Sequence, residues 1–380
     1  MKDTAPVNQD AARRGAGRAF IAALFDGALD LVGDVHGEHE ALDHLLQALG
    51  YDAAGDHPEG RRLVFVGDLT DRGPDSVSVV LKVARLVRDG RAQCIAGNHE
   101  LNILRKAPKE GNGWVLPVNH DHAEGKFRAS LSALDHHRAA IEQFFATLPL
   151  ALERGDLRVV HACWHGPSIE ALRTARDAGT VAADERFVAS SQRLLEESGL
   201  LEAYQRERHE FGAALRDARA APPFLPAIAE FGARRQMANP VRVLTSGIER
   251  PARAPFYSGG RWRMVERVAW WQEYQDPIPV VFGHFWRRPL AAPADATDER
   301  SGPDLFAGTR FDQWLGPRHN AFCVDYSIGR RFLERERRLR PGTSTRLGAI
   351  RWPEAELVFD DGTRHAVTRR DGSFAGDGQA

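Results

Sequence analysis

The 380-residue sequence holds three cysteines, Cys94, Cys163 and Cys323, and no Cys-x-x-Cys pair. That excludes a disulfide framework and a thiolate metal cage. Two of the three fall inside apolar runs, where a small buried thiol is expected, and a reducing compartment fits this usage. Long hydrophobic runs are also lacking, since no stretch approaches the roughly 18 apolar residues of a membrane-spanning helix. Charge of one sign is missing as well: the formal net charge is −1, so no global field draws the chain to nucleic acid or to an anionic bilayer. Phosphate-attracting charge must therefore be local. No repeat of fixed period is present. Residues 19–25 are apolar, but Asp3 and Asp10 precede them and no small-residue cleavage site follows. They are expected to form an amphipathic lead-in helix rather than a signal peptide. The expected location is the cytoplasm, with no membrane partner and no specific nucleic-acid partner.

Short apolar runs at 28–32, 62–66 and 92–96 each end at a glycine and read as strands. Helical patterns separate them. Residues 38–49 place Leu42, Leu45, Leu46 and Leu49 on one face and stop at Gly50. Asp75 is the expected N-cap of a second helix whose apolar face carries Val77, Val80, Leu81, Ala84 and Val87. Strand–helix–strand spacing of this kind implies βαβ crossovers and a largely parallel or mixed sheet, with ligands beyond the carboxyl ends of its strands. Runs at 157–160, 279–282 and 321–324 lead into His161, Gly283-His284 and Asp325. Residues 347–351 and 356–359 look like an antiparallel pair joined through Pro353. Residues 166–276 carry helical patterns (187–198 and 200–220) and no recognisable chemistry, so a mainly helical cap inserted between two strands is the simplest reading. The expected division is a lead-in at 1–27, a core at 28–165 and 277–362, the cap at 166–276, and a flexible tail at 363–380, clearest after Thr368.

The chemistry sits at the strand ends, in Gly33-Asp34-Val35-His36-Gly37, Gly67-Asp68-Leu69-Thr70-Asp71-Arg72-Gly73 and Gly97-Asn98-His99-Glu100, followed by His161 and His284. Carboxylate, imidazole and amide groups in these numbers suffice for two metal ions. Ions about 3.5–4 Å apart can acidify a shared water and clamp phosphoryl oxygens. Asp34 and His36 can converge on one ion, Asp68 is the natural bridge, and Asn98, His161 and His284 can complete the second. Oxygen and imidazole donors without thiolate point to Mn first, with Fe, Zn, Co and Ni also compatible. His99 is the expected general acid, Asp71 its hydrogen-bonding partner, and Arg72 a planar fork for phosphate, with Asn98 a second substrate contact. Gly33, Gly67, Gly73 and Gly97 are expected to permit sharp turns. His120, His122, His136, His137 and His165 have no such demand on them and are expected in solvent. Asn112-Gly113-Trp114 reads as packing more than as a substrate loop, and Asp325 and Tyr326 are given no catalytic part.

These motifs resemble the phosphoprotein-phosphatase branch of the calcineurin-like metallophosphoesterases, in which GDxHG, GDxxDRG and GNHE carry the roles above. The resemblance covers residues 28–162 and 279–359. It implies a two-sheet α/β sandwich, and the Asp325 run and the terminal pair are similar to bacterial protein phosphatases and diadenosine tetraphosphatases. Gly283-His284-Phe285-Trp286 differs from the GHxH ending of nuclease and diesterase branches. Ala96 stands where eukaryotic-type members carry an arginine, which the resemblance treats as a second phosphate clamp. A replacement cation is sought among Arg287, Arg288 and the eight arginines between Arg234 and Arg267.

The expected activity is in-line attack on a phosphate ester by a metal-bridging hydroxide. Two substrates stay open: a phosphoserine or phosphothreonine protein, and a nucleotide polyphosphate such as diadenosine tetraphosphate. The cap aromatics Phe256, Tyr257, Trp262, Trp270 and Trp271 lean toward the small stacked substrate. A metal-free binding scaffold of the same fold is the non-enzymatic alternative, and the filled ligand positions argue against it.

Overall fold

The computed structural model describes residues 19–109, 111–116, 127, 130–289 and 304–368. In chain order its strands are β1 (Ile21–Ala23), β2 (Leu29–Val32), β3 (Arg62–Phe65), β4 (Ala92–Cys94), β5 (Ala151–Arg154), β6 (Leu157–Val160) and β7 (Glu249–Ser258). There follow β8 (Arg261–Arg267), β9 (Val280–Phe282), β10 (Ala321–Cys323), β11 (Gly348–Trp352), β12 (Glu356–Phe359) and β13 (Arg364–Ala366). One sheet has the order β13-β12-β11-β2-β3-β4, a second β1-β5-β6-β9-β10, and β7 and β8 form a two-stranded sheet.

Alternation along each strand decides how the sheets meet. Leu29, Leu31, Val64 and Val66 of the first sheet share one apolar cluster with Val159, Val281, Phe322 and Val324 of the second. The opposite faces, with Val32, Leu63 and Phe65, pack beneath Leu42, Leu45, Val80 and Val83 of the covering helices. Strands buried on both faces need continuous apolar runs, which is what the sequence has. β2, β3 and β4 run parallel, as do β6, β9 and β10, so six strand ends open onto one rim. The fold is a two-sheet α/β sandwich.

The helix His39–Leu49 ends at Gly50, whose φ of +101° lets its amide reach the Leu46 and Gln47 carbonyls. Asp75 caps Ser76–Arg88 by accepting from the Ser78 amide. Its buried face is Val77, Val79, Val80, Val83 and Leu86, rotated from the expected one; Leu81 is exposed.

Two expectations fail. Residues 21–23 are a strand, not a lead-in helix, because the β5 edge supplies parallel partners to Ile21, Ala22 and Ala23. The expected tail contributes β13, which pairs antiparallel with β12; residues beyond Thr368 lie outside the described ones. Residues 166–276, the crossover from β6 to its neighbour β9, are mainly helical as expected, with five helices, and also carry the long β7–β8 hairpin.

Candidate metal centre

Asp34 and His36 follow β2, Asp68 follows β3, Asn98 and His99 follow β4, and His161, His284 and Asp325 follow β6, β9 and β10. The backbone that aims them is unusual. φ is +48° at His36 and Asp68, +72° at Asp71 and Arg72, and +68° at His284. A non-glycine residue held there costs about 1–3 kcal/mol and persists only where its surroundings over-determine it. Close approach completes the turns: a Cβ on Gly97 would collide with Asp68 Oδ1, and one on Gly283 with Asp34 Oδ1.

Asp68 lies at the centre. Its Oδ2 is 3.4 Å from His161 Nε2, 3.8 Å from His99 Nε2 and 3.9 Å from His36 Nε2. Its Oδ1 accepts the His99 amide at 3.0 Å. Asp34 Oδ2 is 3.9 Å from His36 Nε2, and both Asp34 oxygens accept from the His284 amide at 3.2 Å. His36 Nδ1 donates to the Thr70 carbonyl at 2.9 Å and His161 Nδ1 to the Val66 carbonyl at 2.8 Å. A carbonyl can only accept, so each Nδ1 carries a proton and each Nε2 is the atom turned to the carboxylates, the orientation that suits histidines to a metal.

The donor set fits divalent cations. His161 Nε2, His284 Nε2 and Asn98 Oδ1 are buried without a hydrogen-bond partner among the described residues, a costly state for polar atoms unless something else binds them. His36, Asp68 and His99 form one compact group of ligand atoms, and Asp68, His161 and His284 another. The first group takes in His99 beside the expected His36 and Asp68 but leaves out Asp34. The halves also differ in surroundings: Arg72 donates to His36 Nε2 at 3.1 Å and lies 3.3 Å from His99 Nε2, whereas His161 Nε2 and His284 Nε2 have no hydrogen-bond partner among the described residues.

Electrostatics carry the same message. Burial, then Asp325 and Asp68, hold the Asp34 carboxyl well above the usual carboxylate range. Burial opposes ionisation of Asp68 too, but His161 and His99 beside it outweigh that and keep it well below. His161 is lowered by burial and raised more strongly by the Asp68 and Asp34 carboxylates, which push it up to about 10. Burial and the Arg267 charge push His284 down. His99 sits above its ordinary value, because Asp68 and Asp71 together outweigh burial.

His99 is fixed by Asp71: Nδ1 donates to Asp71 Oδ2 at 2.5 Å. The same carboxylate accepts Asn112 Nδ2 and Trp114 Nε1, each at 2.6 Å. Asn112-Gly113-Trp114 thus holds the partner of His99. Two buried carboxylates went unassigned in the motif reading. Glu100 accepts the amides of Asp68, Leu69 and Gly97 at 2.8–2.9 Å and so clamps two motifs together. Burial, then the Asp68 charge, push it up to about 7. Its signal in the sequence is its place three residues after the helix N-cap. Asp325 accepts the Ser327 amide on Oδ1 at 2.9 Å, while Oδ2 has no partner among the described residues; burial raises it to about 6.

The search for a second phosphate cation resolves differently from the expectation. Ala96 is buried in the hydrophobic core, so its position is no phosphate contact. Arg287 is buried and donates to the carbonyls of Cys323, Arg310 and Gln313. Arg234, Arg242 and Arg250 pair with Glu230, Asp184 and Glu266, and the charge of Arg267, another cap arginine, bears on His284 and is felt with Asp68. The cap aromatics are spent on packing: Trp270 and Trp271 are core residues, and Tyr257 and Trp262 bond the Arg216 and Asp217 carbonyls. His136 is exposed and His137 and His165 half-buried; His120 and His122 lie outside the described residues.

Residues 29–209 match the profile of the calcineurin-like phosphoesterase family. Over those residues the chain is similar to calcineurin-like phosphoesterases. It is 38% identical over 145 residues to the bis(5'-nucleosyl)-tetraphosphatase PrpE [asymmetrical] of Bacillus subtilis, covering 36% of this chain and 57% of that protein. It is 49% identical over 80 residues to the protein of the same name from Oceanobacillus iheyensis, covering 20% and 32%. The chain thus spans from about a third to little more than half the length of these relatives. Among solved structures, the cold-active protein-tyrosine phosphatase of a psychrophilic Shewanella aligns with 94% of this chain and 84% of its own, at 15% identity and a TM-score of 0.44. No helix among the described residues is long and apolar enough to cross a membrane.

Two outcomes are expected of this centre. Metal uptake must displace a proton from the His161–Asp68 cluster. Calorimetric titration of the metal-stripped protein with Mn, in buffers of different ionisation enthalpy, should show proton release and weaker binding on acidification; a pH-independent affinity would contradict this. Glu100→Gln sets an amide N–H against a backbone N–H and should lower unfolding free energy by about 1–3 kcal/mol in urea denaturation. Unchanged stability would remove the clamp.

Proposed function

We propose that the chain is a two-metal hydrolase of phosphate esters or anhydrides, acting on a nucleotide polyphosphate. The observation that carries this reading is the Asp68 carboxylate, with imidazole Nε2 atoms from three strand ends 3.4–3.9 Å from one of its oxygens. Asp34 and His36 would hold one divalent ion, Asn98, His161 and His284 the other, and Asp68 both; Mn suits the oxygen and nitrogen donors first. When bound, the ions supply an acidified water and neutralise charge on the phosphoryl group.

The protein's own groups do the rest. Arg72 offers a planar pair of donors to two phosphoryl oxygens, and Asn98 adds an amide contact. His99 Nε2 gives its proton to the departing oxygen, while Asp71 on Nδ1 orients the ring and favours its charged form. Asn112 and Trp114, bonded to Asp71, keep that carboxylate from turning away. The names of the curated relatives support a dinucleoside polyphosphate over a phosphorylated protein. Three buried free thiols support a reducing, cytoplasmic setting.

His99→Asn separates proton donation from ligation. It is expected to keep the full metal content by elemental analysis and to lose about 10²–10⁴-fold in turnover. Loss of an ion in that variant would make His99 a ligand, as the His36–Asp68–His99 grouping permits. The Mn-loaded protein is expected to cleave diadenosine tetraphosphate in preference to a phosphoserine peptide, and the reverse order would select the phosphoprotein reading. Absence of turnover on both, with no bound metal, would leave a binding scaffold.

A further inference from the structure

We propose that Trp286, held between Arg72 and Arg330 at the rim, is the platform on which a planar aromatic group of the substrate stacks, and so is a specificity-determining residue of this site. The proposal rests on the phosphoesterase reading above and adds to it the residue that recognises the base. Trp286 is 43% exposed, beside a buried centre. Leaving an indole in water forgoes a large burial gain, so its position calls for a cause.

The flanking residues supply the position. Phe285 and Arg287 on either side are both buried, which turns the side chain between them outward. Arg287 is tied down by its three carbonyl acceptors, and its own backbone is stitched to the neighbouring turn. Its amide donates to the Asp325 carbonyl at 3.0 Å, and its carbonyl accepts from Ser327 Oγ at 3.0 Å. That turn carries Arg330. It lies so close to the centre that a Cβ on Gly329 would press on His36 and Arg72. The indole is therefore anchored by two strand ends, not left at the tip of a loose loop.

The chemistry of the spot follows from its neighbours. The Arg72 guanidinium carbon is 5.1 Å from the Trp286 ring centroid and that of Arg330 is 5.6 Å. Both distances are within cation–π range. Arg72 also reaches His36 and His99, so the ring adjoins the position where phosphoryl transfer is proposed. A phosphate that bears a flat, electron-rich ring satisfies Arg72 and the indole at once, and a phosphoserine side chain satisfies only the arginine.

The test uses the full-length Mn-loaded protein and its Trp286→Ala and Trp286→Phe variants. Two measurements are made on each: kcat/KM on diadenosine tetraphosphate and on glycerol 2-phosphate, and calorimetric binding of adenosine 5'-monophosphate. Stacking of a base on an aromatic side chain is commonly worth a fold-change of about 10 or more. Trp286→Ala is expected to lower the dinucleotide-to-glycerol-phosphate ratio of kcat/KM by about that factor, mainly through KM, and to weaken monophosphate binding similarly. Trp286→Phe should recover most of both. An unchanged ratio with unchanged monophosphate affinity overturns the platform, as does an equal loss on the two substrates that phenylalanine fails to rescue. Absence of hydrolysis of both substrates by the parent protein would defeat the phosphoesterase reading instead, and monophosphate binding would still decide the platform.

Discussion

A carboxylate buried at the seam of two sheets is the constraint on which the rest of this structure depends. Asp68 has almost no access to water, and Asp34 and Asp325 are buried beside it. Removing a carboxylate from water costs several kcal/mol unless positive charge and hydrogen bonds compensate. The chain meets that demand with fixed groups. The His99 amide takes one Asp68 oxygen and three imidazoles ring the other, with Arg72 nearby. Burial holds Asp34 above the usual carboxylate range, and the carboxylates hold His161 above the usual imidazole range, so the centre retains protons that divalent cations would displace.

The strained backbone belongs to the same economy of structure. Left-handed turns at His36, Asp68, Asp71, Arg72 and His284 each cost energy, and each is braced from behind. Glu100 gathers three amides from two motifs, and the Thr70 and Val66 carbonyls lock the tautomers of His36 and His161. The bracing comes from both sheets: Val66 precedes Asp68 on the first, while His161 belongs to the second. The two-sheet architecture therefore positions ligands that no single sheet could bring together. Farther out, Arg287 donates to three carbonyls, while Arg72 reaches His36 and His99 and the Arg267 charge bears on His284.

Much of this was legible in the sequence because its signals are local. Apolar runs ending at glycine marked β2, β3 and β4, and the residues after them were the ones brought together. Gly50 and Asp75 marked helix ends through conformations and caps that need no tertiary knowledge. What escaped depended on distant partners. β1 exists because the β5 edge offers hydrogen bonds to a run that, by itself, resembles a helix. The face of the second helix turned so that Val79, Val83 and Leu86 could pack, leaving Leu81 outside. Glu100 lies in the motif, yet its three acceptor bonds join segments some 30 residues apart. Asp325 was seen at a strand end, but its proximity to Asp34 arises only when the two sheets close. Trp286 stood in the sequence only as the last residue of Gly283-His284-Phe285-Trp286; its exposure beside the buried Phe285 and Arg287 is a fact of the fold.

The central claim is that Asp68 is shared by two cations. It is tested most directly by titrating Mn into metal-stripped wild-type and Asp68→Asn proteins and counting bound ions by calorimetry and elemental analysis. Two ions per wild-type chain, and loss of both in the folded variant, are expected. Two ions retained by Asp68→Asn, or none bound by the wild type, would contradict it.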